Sequence, residues 1–175
     1  MDELRFPVGK FEPPKQPFLE VRDSFIDEIA RAPQAYRDAV RGLDDSQLDT
    51  EYRPGGWTVR QVIHHVADSH LNAYTRTRLA LTESEPAIKG YEEKLWAELP
   101  DARTEPVEVS LTLLESLHHR WVKLLRSLST SDFGRTFRHP ELGLMNLEAQ
   151  VALYAWHSRH HAAHINRLRD RMGWR

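Results

Sequence analysis

Cysteine is absent from the 175 residues, so the chain has no disulfides and no thiolate ligands for a metal. Any metal it holds must sit on nitrogen and oxygen donors. No apolar run is long enough to span a bilayer, which excludes a transmembrane helix. Charge of one sign is lacking too. With 24 Lys and Arg against 26 Asp and Glu, the net charge of -2 gives no attraction to nucleic acid or to an anionic membrane surface. The opening residues Met1-Asp2-Glu3-Leu4-Arg5-Phe6 lack the basic and apolar regions of a signal peptide, and a cytoplasmic protein is expected. A hydrophobic content of 40% is enough for a soluble fold with a real core. One domain spanning 1–175 is expected.

Histidine, in contrast, is concentrated. Seven of the ten fall in two short segments, Val62-Ile63-His64-His65-Val66-Ala67-Asp68-Ser69-His70 and Trp156-His157-Ser158-Arg159-His160-His161-Ala162-Ala163-His164. The second contains two His-x-x-x-His pairs, 157/161 and 160/164. Residues four apart share a helix face, so both imidazoles of a pair can reach one metal ion, with a third supplied by a facing helix. Ser158 stands where the zincin motif has its catalytic Glu, so this is not that motif.

Both segments read as helix. Prolines 7, 13, 14 and 17 make residues 1–17 an extended arm. An apolar period of 3.6 residues predicts a helix from about Phe18, kinked or divided at Pro33, continuing through Tyr36, Val40 and Leu43. Thr58-Val59-Arg60-Gln61 has the form of a capping box and opens a second helix with the stripe Val59, Val62, Ile63, Val66, His70, Ala73, Thr77 and Leu81. A short helical piece at Glu92–Leu99 lies in the following connection. A third helix runs from about Ser110 to Leu128 and carries His118 on its inward stripe. A loop with Gly134, Pro140 and Gly143 has room for a hairpin. Asn146 then caps a fourth helix that ends near Met172 at Gly173. The expected fold is an all-α four-helix bundle with long connecting loops that wall a pocket at one end.

Helix phase sorts some of the histidines. At about 100° per residue, with His161 at zero, His157 lies at about -40°, His164 at about -60° and His160 at about -100°. This favours His157 and His161 as the inward pair, with His164 as a weaker candidate. On the second helix, with Val66 at zero, His70 lies at about 40°, His65 at about -100° and His64 at about 160°. His64 is therefore expected to face solvent. Periodicity prefers His70 to His65 and does not decide between them.

The stretches Tyr52–His70 and Leu153–Ile165 resemble the YfiT-like branch of the DinB superfamily, and so do Phe6–Phe11, Tyr91–Trp96 and Met172–Trp174. The likeness runs over nearly the whole chain. It implies a DinB-like bundle, commonly a homodimer. It also implies one divalent metal, zinc or nickel, held by three histidines, which here are His65, His157 and His161. Many superfamily members carry Gln where this chain has His164.

Three nitrogen ligands leave coordination positions open, the form of a catalytic rather than a structural site. The expected activity is that of a metal-dependent hydrolase acting on a small molecule through an activated water. One alternative is thiol S-transfer, in which a low-molecular-weight thiol such as bacillithiol attacks an electrophile. The other is a non-catalytic, metal-stabilised binding protein. Arg60 and Arg53 are candidates to orient a substrate carboxylate, and Asp68 and Asn72 to support the ligands or move a proton. Trp57 and Trp156 are expected to pack at the bundle end. His118 is expected to be either a core residue or a neighbour of the site.

Overall fold

Capping chemistry sets where the long helices start and stop in the computed structural model, which describes residues 2–174. Pro17 precedes α1, Phe18–Val40. The side chain of Thr58 accepts from the Gln61 amide while Gln61 reaches back to the Thr58 amide, which opens α2, Val59–Thr82. Pro106 precedes α3, Val107–Ser127. Asn146 accepts from the Ala149 amide at 2.9 Å to open α4, Leu147–Met172, and Gly173 closes it at φ 68°. The left-handed conformation suits glycine, which has no Cβ to clash.

α1 and α2 each pack against both α3 and α4. The two therefore sit at opposite corners of the bundle, and α4 lies beside α2, the other histidine-rich helix. Short helical turns at Asp45–Leu48, Glu93–Trp96, Pro100–Thr104 and Thr130–Phe133 occupy the connections. The glycine-containing loop forms an antiparallel hairpin, β1 Thr136–His139 with β2 Gly143–Asn146, in which Phe137 faces Met145. No helix among the described residues is long and apolar enough to cross a membrane.

Three expectations need correction. The N-terminal arm is not extended throughout, because Asp2–Arg5 forms one helical turn. Pro33 does not divide α1 into two helices. The helix runs unbroken from Phe18 to Val40, because Ile29, Ala32, Pro33 and Tyr36 are all buried and core packing outweighs the proline's local penalty. His64 does not face solvent. Its ring is buried, with Nδ1 2.7 Å from Ser110 Oγ and Nε2 3.1 Å from the Glu105 carbonyl. The piece Pro100–Thr104 packs on α2 and covers the face that periodicity assigned to water.

The apolar core falls into two clusters. One gathers Ile26, Ile29, Ala73, Trp121, Leu125, Leu147 and Val151. The other gathers Tyr36, Val62, Ile63, Val66, Leu114, Ile165 and Leu168. On every long helix the change from one cluster to the other comes beside the histidines or, on α1, between Ile29 and Ala32.

Arg60 locks the start of α2 to the preceding loop. Its Nε donates to Asp49 at 2.7 Å, its Nη2 to Asp45 at 2.9 Å and its Nη1 to the Glu105 carbonyl at 3.0 Å. All three sides of the guanidinium are thus used within the protein. Replacing Arg60 with Leu is expected to lower the unfolding free energy by about 2 kcal/mol while leaving metal binding intact. Urea denaturation and metal analysis of the same variant check both halves.

Candidate metal centre

The two histidine segments meet where α2 and α4 pack. His65 on α2 and His157 and His161 on α4 each offer a ring nitrogen, and the three nitrogens lie within 4.8 Å of one another. Ring centroids are 4.4 Å apart for His157 and His161, 4.9 Å for His65 and His161, and 5.5 Å for His65 and His157. Nitrogens about 2.0–2.1 Å from a tetrahedral ion stand closer together than this limit, so the spacing is compatible with one shared ion. No fourth His, Asp or Glu joins the group among the described residues. The donors are of the right type for a divalent transition metal, three imidazoles with no thiolate.

Burial keeps these donors neutral. It pushes the His65 ring down to about 3, helped by the nearby His164. It also holds His157 and His161 well below the usual imidazole range, reinforced by their histidine neighbours. Lone pairs are therefore available at neutral pH without competition from protons.

A cavity of about 870 Å³ opens onto the three histidines. The loop Glu51–Thr58, the Glu93–Leu95 turn and Arg5 and Phe6 of the arm form its walls. The loop is held by a bridge between Glu51 and Thr58 and by the Tyr52 amide donating to the Trp57 carbonyl at 3.0 Å. Trp57 lies against His65 with centroids 4.5 Å apart, and Trp156 stacks on His160 at 4.4 Å. Both tryptophans therefore pack on histidines in the cavity wall. Arg53 and Lys94 bring positive charge to that wall, and Glu51 and Glu93 bring negative charge.

His70 and His164 lie against this trio, and His118 backs His70. His70 is fully buried, with Nδ1 2.8 Å from His118 Nε2 and Nε2 3.0 Å from His157 Nδ1. His118 Nδ1 lies 2.6 Å from the Ile29 carbonyl. His164 places Nδ1 3.3 Å from His161 Nδ1 and Nε2 3.1 Å from the Arg5 carbonyl, and its ring lies 4.0 Å from that of Tyr52. The periodicity that favoured His70 reflected its burial in the core, while His65 turns toward the cavity.

Three candidates stand apart from this cluster. Arg60 does not line the cavity, because its guanidinium is committed to Asp45, Asp49 and the Glu105 carbonyl. Asp68 is half-buried near Asp101, which helps burial raise its carboxyl to about 6, and it too is outside the cavity wall. Asn72 spends its amide on the Asp68 carbonyl at 2.9 Å. The sequence reading missed Arg5, Phe6 and Tyr52 as wall residues. The only signal for the arm was its proline content, which predicts an extended path but not where that path docks.

The depressed histidines couple stability to pH. The unfolded chain takes up protons near the ordinary value of about 6.5, whereas the buried rings refuse them until far lower pH. Metal-free protein is therefore expected to be insensitive to pH above about 6.5. Below that it loses roughly 1.4 kcal/mol per pH unit for each of the deeply buried rings His65, His70 and His161. Chemical unfolding at pH 7 and pH 5 after chelation measures this. Equal stabilities at the two pH values would show that the folded rings take up protons as readily as the unfolded chain does.

Residues 28–165 match the sequence pattern of the DinB superfamily. A protein of Bacillus cereus (strain 03BB102) named "Putative metal-dependent hydrolase" is 55% identical over 174 residues, covering 99% of this chain and all of its own length. The solved structure of YfiT from Bacillus subtilis, described as a probable metal-dependent hydrolase with an unusual four-helix bundle topology, is 48% identical and covers 99% of both chains at a TM-score of 0.95. TT2238, described as a four-helix bundle protein, shares the fold at 21% identity and a TM-score of 0.55, over 80% of this chain and 94% of its own. With its pattern, its relatives and its bundle in agreement, this chain belongs to the DinB superfamily.

Proposed function

We propose that the chain is a metal-dependent hydrolase of small molecules, with His65, His157 and His161 holding one zinc or nickel ion. The observation that carries the reading is the convergence of three neutral ring nitrogens, those of buried His65 and His161 and half-buried His157, at the floor of an open cavity, with no fourth protein ligand among the described residues. Such an ion, when bound, polarises a carbonyl or phosphoryl group and lowers the pKa of water to roughly 7. The names of the relatives support the same reading.

The protein's own residues then serve to bind and orient. Trp57 and Trp156 give the cavity apolar, planar walls beside the ligands. Arg53 and Lys94 are placed to attract an anionic part of a substrate, whereas Arg60 is not. Asp68 lies outside the cavity wall and is not assigned a part in the reaction.

Elemental analysis of purified protein should find one divalent ion per chain. His161→Ala is expected to lose that ion and to reduce hydrolysis of a model ester to background. Chelation should abolish turnover, and zinc or nickel should restore it. Full metal occupancy in folded His161→Ala would overturn the ligand assignment. If the metal-loaded protein turned over only a thiol with an electrophile such as monochlorobimane, S-transfer would replace hydrolysis. Turnover of neither would point to a binding role.

A further inference from the structure

We propose that His70, His118 and His164 are positioning residues whose hydrogen bonds fix the protons of His157 and His161 on Nδ1, so that both present a bare Nε2 to the metal. The inference rests on the ligand set proposed above and extends it to histidines that bind no metal.

The reasoning starts at two backbone carbonyls, which can only accept. Ile29 O faces His118 Nδ1 at 2.6 Å, so that nitrogen must carry the proton. A neutral imidazole has one N–H and one lone pair, so His118 Nε2 accepts. His70 Nδ1, 2.8 Å away, therefore donates, and His70 Nε2 is left to accept. His157 Nδ1, 3.0 Å from it, must then donate, which leaves the lone pair of His157 on Nε2. The second path is shorter. Arg5 O, 3.1 Å from His164 Nε2, requires a proton there, so His164 Nδ1 accepts. His161 Nδ1 at 3.3 Å donates, and the lone pair of His161 also lies on Nε2. Every nitrogen of the five rings has one consistent role. No acidic side chain pairs with any of these rings among the described residues, so nothing holds a second proton on them.

Each starting carbonyl is one that its own helix leaves free. Ile29 O would accept from the amide four residues later, but that residue is Pro33, which has no N–H. Arg5 ends the turn Asp2–Arg5, where carbonyls lack helical partners. The interior proline and the docked arm thus supply the two fixed acceptors on which the order of donors depends.

Metal ligands whose other ring nitrogen is held by a hydrogen-bond partner typically lose 10–100-fold in metal affinity when that partner is removed. The direct test is the ring 15N spectrum of histidine-labelled, metal-free wild-type protein, which reports the tautomer of each neutral imidazole. His157, His161, His70 and His118 are expected as Nδ1–H, and His164 as Nε2–H. Finding His157 or His161 as Nε2–H overturns the proposal, whatever metal or activity the protein has. Zinc competition titration gives a second readout. His70→Leu, with fold checked by circular dichroism, is expected to weaken zinc binding by roughly 10–100-fold. His70→Gln keeps an acceptor for His157 Nδ1–H and should recover most of that loss. Folded His70→Leu with wild-type affinity would also overturn the proposal. If wild-type protein bound no zinc or nickel, the hydrolase reading would fail while the tautomer spectrum still decided the hydrogen-bond order.

Discussion

A buried imidazole without a partner is costly, and this bundle buries a whole layer of them. The layer runs from the Ile29 carbonyl through His118 and His70 to His157, with His65 and His161 beyond, and it separates two apolar clusters. Leaving such a polar group unpaired costs on the order of 1–3 kcal/mol. Along the path from His118 through His70 to His157 the bundle avoids that by letting the rings satisfy one another. The arrangement of the long helices serves the same end: α2 touches both α3, with His118, and α4, with His157. A bundle with α2 and α4 at opposite corners could not close the same chain of hydrogen bonds.

Much of this was legible in the sequence, and particular residues show where legibility stopped. Thr58, Gln61, Asn146 and Gly173 mark helix ends by local chemistry, and they do so in the structure. His157 and His161 share a face because α4 runs unbroken through both, four residues apart. α2 is different. Most of its residues are buried, since the piece Pro100–Thr104 and the Glu51–Thr58 loop cover sides that a two-faced helix would leave wet. A wheel drawn on its stripe therefore sent His64 to solvent and preferred His70, and only the family resemblance pointed to His65. Arg60 was misread for a related reason. An arginine near a helix start looks the same in sequence whether it meets a ligand or, as here, Asp45 and Asp49.

The site combines two demands that usually oppose each other. Histidines that are to hold an ion must be dry enough to stay neutral, yet the ion must be reachable. The structure meets both by burying the far side of each ring in the bundle and opening the near side to a cavity walled by loops. The walls come from segments distant in sequence, the N-terminal arm, the Glu51–Thr58 turn and the Glu93–Leu95 turn. Walls of this kind tolerate sequence change more readily than helices do.

Pro33 shows what such a design means for protein engineering. Routine stabilisation favours replacing an interior helical proline with alanine, because the helix regains a hydrogen bond and a better helix former. At this position the regained amide would compete for the carbonyl that holds His118. The variant could melt at a higher temperature and still be the poorer protein. The residue that looks like a flaw in α1 is one that a stability screen, blind to what the carbonyl is for, would remove.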